Sequence, residues 1–372
     1  MEYKRLGDYI REVNVRNLDL KVTNLLGVSI SKEFMPSIAN TIGTDMSTYK
    51  IVERGQFAYG PVTSRNGDKV SIALLDGYDG AIISQAYTVF EVIDHEQLLP
   101  EYLMMWFRRP EFDRYARFHS HGSAREIFDW DELCDVMLPF PSFARQREIV
   151  EEYETLSRRI RLNEQMIEKL EATAQTLYRK MFVDDIDKEN LPEGWRMGTL
   201  GEVASFKYGK LAEKHAKSEE FPYPVYSGYA VTGYTNEYTL KERTIVIIAR
   251  GDAGTGRICM SPAQCFLSNL AISIEMKDNA YRDYMYYQLL DSDTMSLRSG
   301  SAQAQITINN VEPFDVMIPK REICVDFQQK VETLYNNKLL KEQENSKLFE
   351  LQSLLLAKMG NLKQYGYEKE LY

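Results

Sequence analysis

The chain is poor in sulfur and imidazole, with four cysteines and four histidines among 372 residues. Cys134, Cys259, Cys265 and Cys324 lie scattered without a CxxC pair, so reduced structural thiols are expected and no zinc. No apolar run approaches the roughly 20 residues of a membrane helix. The opening "MEYKRLGDYIREV" is charged from its second residue, unlike a secretory signal, and a cytoplasmic protein with no membrane partner is expected. A basic excess is also missing: Lys and Arg number 45 against 55 Asp and Glu, a net charge of -10. Proteins that coat nucleic acid indiscriminately carry a large basic excess. That class is excluded, while specific grooves with local arginines are not. No Asn-Pro-Pro-aromatic word and no glycine-rich cofactor turn after an N-terminal strand is present, which argues against a fused adenine methyltransferase. "RGDAGTGR" lacks the Gly-Lys-(Ser/Thr) ending of a phosphate loop.

What is present is a soluble globular composition, 44% hydrophobic and 27% charged, in a chain too long for one ordinary core. Two domains are expected, and the sequence is written twice. "HGSAREIFDWDELCDVMLP" (His121 to Pro139) returns as "SGSAQAQITINNVEPFDVMIP" (Ser299 to Pro319). Both halves open on a Leu-Gly-acid turn, "RLGDYI" and "TLGEVA". Both carry a strand-like apolar run ending in a polar step, "AIISQAYTVFEV" against "CFLSNLAISIEM", in register at Ser84 and Ser268. An aromatic helix-like segment follows, "PEYLMMWFRRPEF" or "YRDYMYYQLLDSD", then the Gly-Ser-Ala turn, the Asp-Val-Met-(Leu/Ile)-Pro strand and a long helical pattern. The repeat distance is 178 residues at the turns (Gly122, Gly300) but 180 at Asp135 and Asp315, which reads as a two-residue insertion undone just afterward. Five words in one order indicate tandem duplication.

The first long helix places Ile149, Tyr153, Leu156, Ile160, Asn163, Ile167, Leu170, Ala174, Leu177 and Met181 at alternating steps of four and three, a coiled-coil seam. The second places Phe327, Val331, Leu334, Lys338, Lys341, Asn345, Leu348, Gln352, Leu355 and Met359, apolar at both ends and polar in its middle. At ~1.5 Å per residue each helix is roughly 50 Å long. Amphipathic helices usually pack on their own domain, but this length fits a rod between two domains better.

The remaining bodies are tyrosine-rich runs of short strands punctuated by turns, read as mixed α/β with irregular sheets. Their loops hold the candidate contacts. "YGPVTSRNGDKVS" presents Ser64, Arg65 and Asn66, and "IIARGDAGTGRIC" presents Arg250 and Arg257. Glycine permits close backbone approach, and arginine or asparagine makes bidentate contacts to base edges or phosphate. A solvated hairpin tip is the commoner role for any one such loop.

The duplicated order of body, Gly-Ser-Ala-(Arg/Gln) turn, Asp-Val-Met-(Leu/Ile)-Pro strand and long helix resembles the specificity subunits of type I restriction-modification systems over nearly the whole chain. The resemblance implies an α+β fold, with two similar α/β target recognition domains separated by two long antiparallel coiled-coil helices. It places target recognition domains at 1–143 and 183–321, the latter opening with an acidic linker at 183–194. Spacer helices fall at 144–182 and 322–360, and a tail at 361–372. It also implies a prokaryotic chain without catalytic activity that reads a bipartite, asymmetric double-stranded DNA target. Two methyltransferase subunits would bind it, and motor nuclease subunits would join. Any S-adenosylmethionine, ATP and Mg²⁺ would belong to those partners. The carried-over positions are the two turns, with Ser123, Arg125, Ser301 and Gln303 as further DNA contacts. If the helices pair antiparallel with centres opposed, Ile149 meets Met359, Tyr153 meets Leu355, Ile160 meets Leu348 and Asn163 meets Asn345, with Leu156 in the same seam. That register would set the two readers about one DNA turn apart, ~34 to 36 Å. Two rivals remain. One is a Mg²⁺-dependent nuclease built on Asp252, Glu275 and Lys277, whose Glu-x-Lys spacing suits a metal-held water. The other is a coiled-coil scaffold without DNA contact.

Overall fold

The computed structural model describes residues 2–37, 43–63, 69–122, 126–187, 189–211, 220–251, 254–299 and 304–361. It has the expected mixed α+β character and falls into two compact units, Met1–Asn163 with Gln343–Tyr372, and Glu164–Glu342. Each unit therefore takes half of each long helix.

The first unit runs β1 (Glu2–Arg5), β2 (Ile10–Val13), β3 (Leu26–Val28), β4 (Phe34–Pro36), β5 (Lys50–Glu53), β6 (Phe57–Gly60), β7 (Ser71–Leu74), β8 (Gly80–Ile83) and β9 (Thr88–Val92). Then follow α1 (Pro100–Phe107), α2 (Pro110–Phe118), α3 (Trp130–Cys134), β10 (Met137–Phe140) and the long α4 (Phe143–Phe182). The second runs β11 (Arg196–Thr199), α5 (Leu200–Val203), β12 (Ala204–Tyr208), β13 (Tyr223–Tyr226), β14 (Val231–Thr235), β15 (Ile245–Ile248), β16 (Ile258–Met260), β17 (Phe266–Leu267) and β18 (Ala271–Met276). It continues with α6 (Arg282–Leu290), α7 (Ile308–Val311), β19 (Asp315–Ile318) and the long α8 (Arg321–Asn361).

The duplication is a duplication of fold. An antiparallel four-stranded sheet of order β2-β9-β6-β7 in one unit is matched by β12-β18-β15-β16 in the other, and the pair β1-β10 by β11-β19. Differences are peripheral. The first unit adds the hairpin β3-β4 and the pair β5-β8, while the second adds a three-stranded sheet in which β13 and β17 run parallel. In each half a fully buried tyrosine of the aromatic helix bonds the returning strand: Tyr102 Oη donates to Pro139 O at 3.1 Å and Tyr284 Oη to Met317 O at 2.8 Å.

These pairs correct one expectation. Leu6 N donates to Val136 O and Leu200 N to Phe314 O, both at 2.9 Å. Arg5 sits opposite Met137 and Thr199 opposite Asp315. The structural offset is therefore 178 at this strand, as it is at the turns, and the Asp-Val-Met match at 180 is a two-residue slip of wording with no insertion in the fold. Side chains alternate faces every two residues along a strand, so the slip preserves the inward face. Two other runs divide. "AIISQAYTVFEV" is β8 and β9, and the corresponding run of the second half is β17 and β18. Each is broken by a serine turn in which Tyr87 N donates to Ser84 O and Ala271 N to Ser268 O. The serine hydroxyls accept from the backbone two residues on, the local competition that interrupts a strand. "PEYLMMWFRRPEF" breaks into α1 and α2 before Pro110, because proline disfavours helix in the residue ahead of it.

None of the seam positions of α4 or α8 is exposed, and their polar members pair across the seam. Asn163 Nδ2 donates to Asn345 Oδ1 at 2.8 Å, Gln352 Nε2 to Ser157 Oγ at 2.8 Å, and Arg159 bonds Glu344. Numbers rise on one helix as they fall on the other, so the helices run antiparallel. In the second unit Lys338 pairs with Glu171 and Glu342. The helix halves are core elements rather than a bare rod. Ile149, Tyr153 and Met359 belong to the main core of the first unit, and Ala174, Tyr178, Phe182, Phe327 and Val331 to that of the second. Toward its end α4 turns Tyr178 and Phe182 inward, leaving Leu177 and Met181 half-buried, the drift expected where 3.6 residues per turn meet a 3.5 repeat.

The Leu-Gly-acid words are fixed by close approach. A Cβ on Gly7 would lie 2.7 Å from Cys134 Cβ, and one on Gly201 would lie 3.2 Å from the Glu312 carbonyl oxygen. Gly7→Ala should therefore destabilise the protein by about 1 to 3 kcal/mol in urea unfolding, and Gly201→Ala by less. Equal and negligible effects would show that the strand ends shift freely.

Candidate nucleic-acid interface

The repeated turn is a hydrogen-bonded loop of one design in both halves. His121 and Ile127 exchange two backbone bonds at 2.9 Å, and Ser299 and Gln305 exchange two at 2.9 and 3.0 Å. Each pair closes a five-residue loop, 122–126 or 300–304. The next residue, Phe128 or Ile306, is buried and donates its N–H at 2.9 Å to the root of the sheet hairpin, Pro61 O or Ala249 O. That hairpin is β6-β7 in the first half and β15-β16 in the second, and its connecting loop is the one carrying the candidate arginines. The topology thus brings together, in each half, two stretches far apart in sequence.

A buried threonine ties loop to turn. Thr63 Oγ1 lies 3.0 Å from Ser120 Oγ and donates to Glu126 O at 3.2 Å, while Thr255 Oγ1 donates to Gly251 O at 2.8 Å and lies 3.5 Å from Ala304 O. In the second half Arg298 Nε donates to Thr255 O at 2.8 Å. Gly256, at φ 92°, packs so closely that a Cβ would meet Met295 Sδ at 2.9 Å. Its missing side chain serves contact with its own unit. Arg250 and Arg257 are exposed on this loop. Ser64, Arg65, Asn66, Ser123, Arg125, Ser301 and Gln303 lie outside the described residues, although the segments flanking each are placed as above. Thr63, Thr255 and Arg298 went unnoticed in the sequence because single hydroxyls and arginines carry no periodic signal.

The nuclease residues are otherwise engaged. Glu275 accepts from Lys207 Nζ at 2.7 Å and Ser273 Oγ at 3.1 Å, whereas Lys277 Nζ donates to the carbonyls of Gly201 and Glu202 at 2.8 and 3.0 Å. Lys277 thus caps α5, and Asp252 lies outside the described residues. All four cysteines are unpaired thiols. Burial pushes each of them up, Cys324 to about 12, which suppresses the nucleophilic thiolate at neutral pH. Among the described residues no group of three His, Cys, Asp or Glu is arranged for a metal, and no helix is long and apolar enough to cross a membrane.

Residues 192–349 match the family model of the Type I restriction modification DNA specificity domain. The chain is 22% identical over 303 residues to the MjaIX specificity subunit of Methanocaldococcus jannaschii, covering 72% of this chain and 70% of that one. It is 19% identical to the HindI specificity subunit of Haemophilus influenzae, covering 96% and 98%. In fold it is similar to the crystal structure of the type I restriction-modification S subunit from M. genitalium, with a TM-score of 0.63 at 17% identity over 96% and 95% of the two chains. The resemblance to type I specificity subunits is borne out, and with it the DNA-recognition role.

If the threonines hold loop against turn, Thr63→Val and Thr255→Val should each cost about 1 kcal/mol and speed amide exchange in the adjoining loop alone. Exchange that rises evenly over the unit would instead assign these hydroxyls to general packing.

Proposed function

We propose that this specificity subunit reads a bipartite, asymmetric DNA target, the first unit taking one word and the second the other. It has no catalytic role or cofactor of its own. The paired helices hold the spacing of the words and dock two methyltransferase subunits. Motor nuclease subunits join for cleavage, and S-adenosylmethionine, ATP and Mg²⁺ belong to those partners in the cytoplasm of a prokaryotic cell. The observation that supports this most is the same bridged turn, pinned to the same sheet hairpin, occurring twice in one chain, with Arg125 and Glu126 in the first turn where the second has Gln303 and Ala304, and with unlike hairpin-loop sequences. A shared frame with unlike tips suits two readers of different words, because backbone geometry positions a contact while side chains at base edges specify it.

Methylome sequencing of the host should show one asymmetric split motif. In the complex with methyltransferase subunits, Arg250→Ala and Arg257→Ala should relax only the second word, and Arg65→Ala and Arg125→Ala only the first. Each base-reading arginine should cost about 1 to 3 kcal/mol. An arginine bound to phosphate would weaken all sequences alike and lower the salt dependence. Four variants with unchanged motif and affinity would remove these side chains from the interface.

Asn163 and Asn345 define where the helices can be lengthened. A four-residue insertion beside Asn163 should lengthen the tolerated spacer by about a base pair or more at ~1.5 Å per residue, leaving both words unchanged. Altered words, or an unchanged spacer, would show that the helices do not set the distance.

A further inference from the structure

Phe118, the last residue of α2, is 82% exposed, the most of any large apolar side chain among the described residues. Single exposed apolar residues are ordinary on protein surfaces, but this ring touches the end of a chain of ring contacts that reaches the core. Its edge meets the His119 ring at 5.2 Å and 76°, and His119 stacks on Tyr115 at 4.2 Å and 29°. Tyr115 meets Phe128 edge-on at 6.2 Å, and Phe128 is the buried anchor of the bridged turn. Glu132 steadies both neighbouring imidazoles, with His119 Nδ1 at 3.1 Å and His121 Nε2 at 3.4 Å from its two oxygens. Ser120 bonds Thr63 at the root of the hairpin loop, and His121 opens the turn itself. Phe118 is therefore the outer end of a contact chain rooted in the core, three residues ahead of His121, where the bridged turn opens. Arg117 beside it lies 3.4 Å from Glu126 within the turn.

We propose that Phe118 is an apolar reading contact of the first unit, pressed against base surfaces of the first word in the duplex. This rests on the assignment of that unit as a DNA reader. An aromatic side chain has few torsions to fix on contact, and phenylalanine is suited to thymine methyl groups in the major groove or to a partly opened base step. Its nearness to the roots of the hairpin loop and the bridged turn, where Ser120 meets Thr63 and His121 meets Ile127, favours DNA over a protein partner at this spot.

The test uses the complete complex with methyltransferase subunits and duplexes carrying both words, the first scrambled, or the second scrambled. Phe118→Ala is expected to weaken binding roughly tenfold or more when the first word is intact, with no change when it is scrambled. Phe118→Tyr should restore most of the loss. The slope of log affinity against log salt should stay as in the wild type, since an apolar contact releases no counterions. Unchanged affinity, an equal loss on all three duplexes, or a reduced slope would overturn the proposal. So would weaker assembly with methyltransferase subunits in the absence of DNA, which would place Phe118 in a protein interface. A wild-type complex indifferent to scrambling the first word would overturn the reading of the first unit as well, before any variant is made.

Discussion

Register between α4 and α8 is the constraint on which both cores depend, and the Asn163–Asn345 bond is its most selective element. Apolar seams tolerate sliding by a heptad, because one leucine can replace another. Buried amides cannot slide, since each would lose its partner at a cost of about 1 to 3 kcal/mol. Gln352 with Ser157 and Lys338 with Glu171 reinforce the same alignment. Burial works against the Lys338 charge, but Glu171 and Glu342 outweigh it and hold its pKa above the usual lysine value, so the seam lysine stays charged across the physiological range. The polar middle of the second helix is thus complementary to the first helix rather than weak.

The register decides which residues complete each core. Met359 reaches the cluster of Ile149 and Tyr153, while Phe327 and Val331 reach that of Tyr178 and Phe182. In the second unit a compact charge group extends the grip. Arg243 lies over the Tyr335 ring at 3.6 Å and pairs with Glu332 and Asp283, and Arg282 bonds the same two acids. Asp283 is almost wholly buried, and removing one member of such a group strands the others in a poorly solvated place. The helix is held to its sheet by interactions that do not tolerate loosening, which suits an element whose position matters.

On that support the two units share a frame and differ in their added strands and loop side chains. Sheet order, the Leu-Gly approach, the buried tyrosine bond and the bridged turn recur, whereas the added strands and the loop side chains do not. The recurring parts are backbone hydrogen bonds and close packing, which accept many sequences. The non-recurring parts are the exposed side chains, where a change of contact leaves the fold untouched.

Much of this was legible from sequence, because periodicity and repeated words are local signals. Every position that the steps of three and four marked along each helix is shielded from solvent, and the Gly-Ser-Ala words marked both turns. The tertiary structure decided what depends on distant partners. It divided apparent single strands at Ser84 and Ser268, turned Tyr178 and Phe182 inward, and set the Asp-Val-Met strand two residues from its wording. It also brought the hairpin loops against the turns, through bonds such as Phe128 to Pro61 that join residues far apart in the chain. A strand looks the same after a two-residue slip, and a loop does not announce what it touches. Only pairing across the sheet chooses between such alternatives, by leaving the wrong one with unmet hydrogen bonds and side chains on the wrong face.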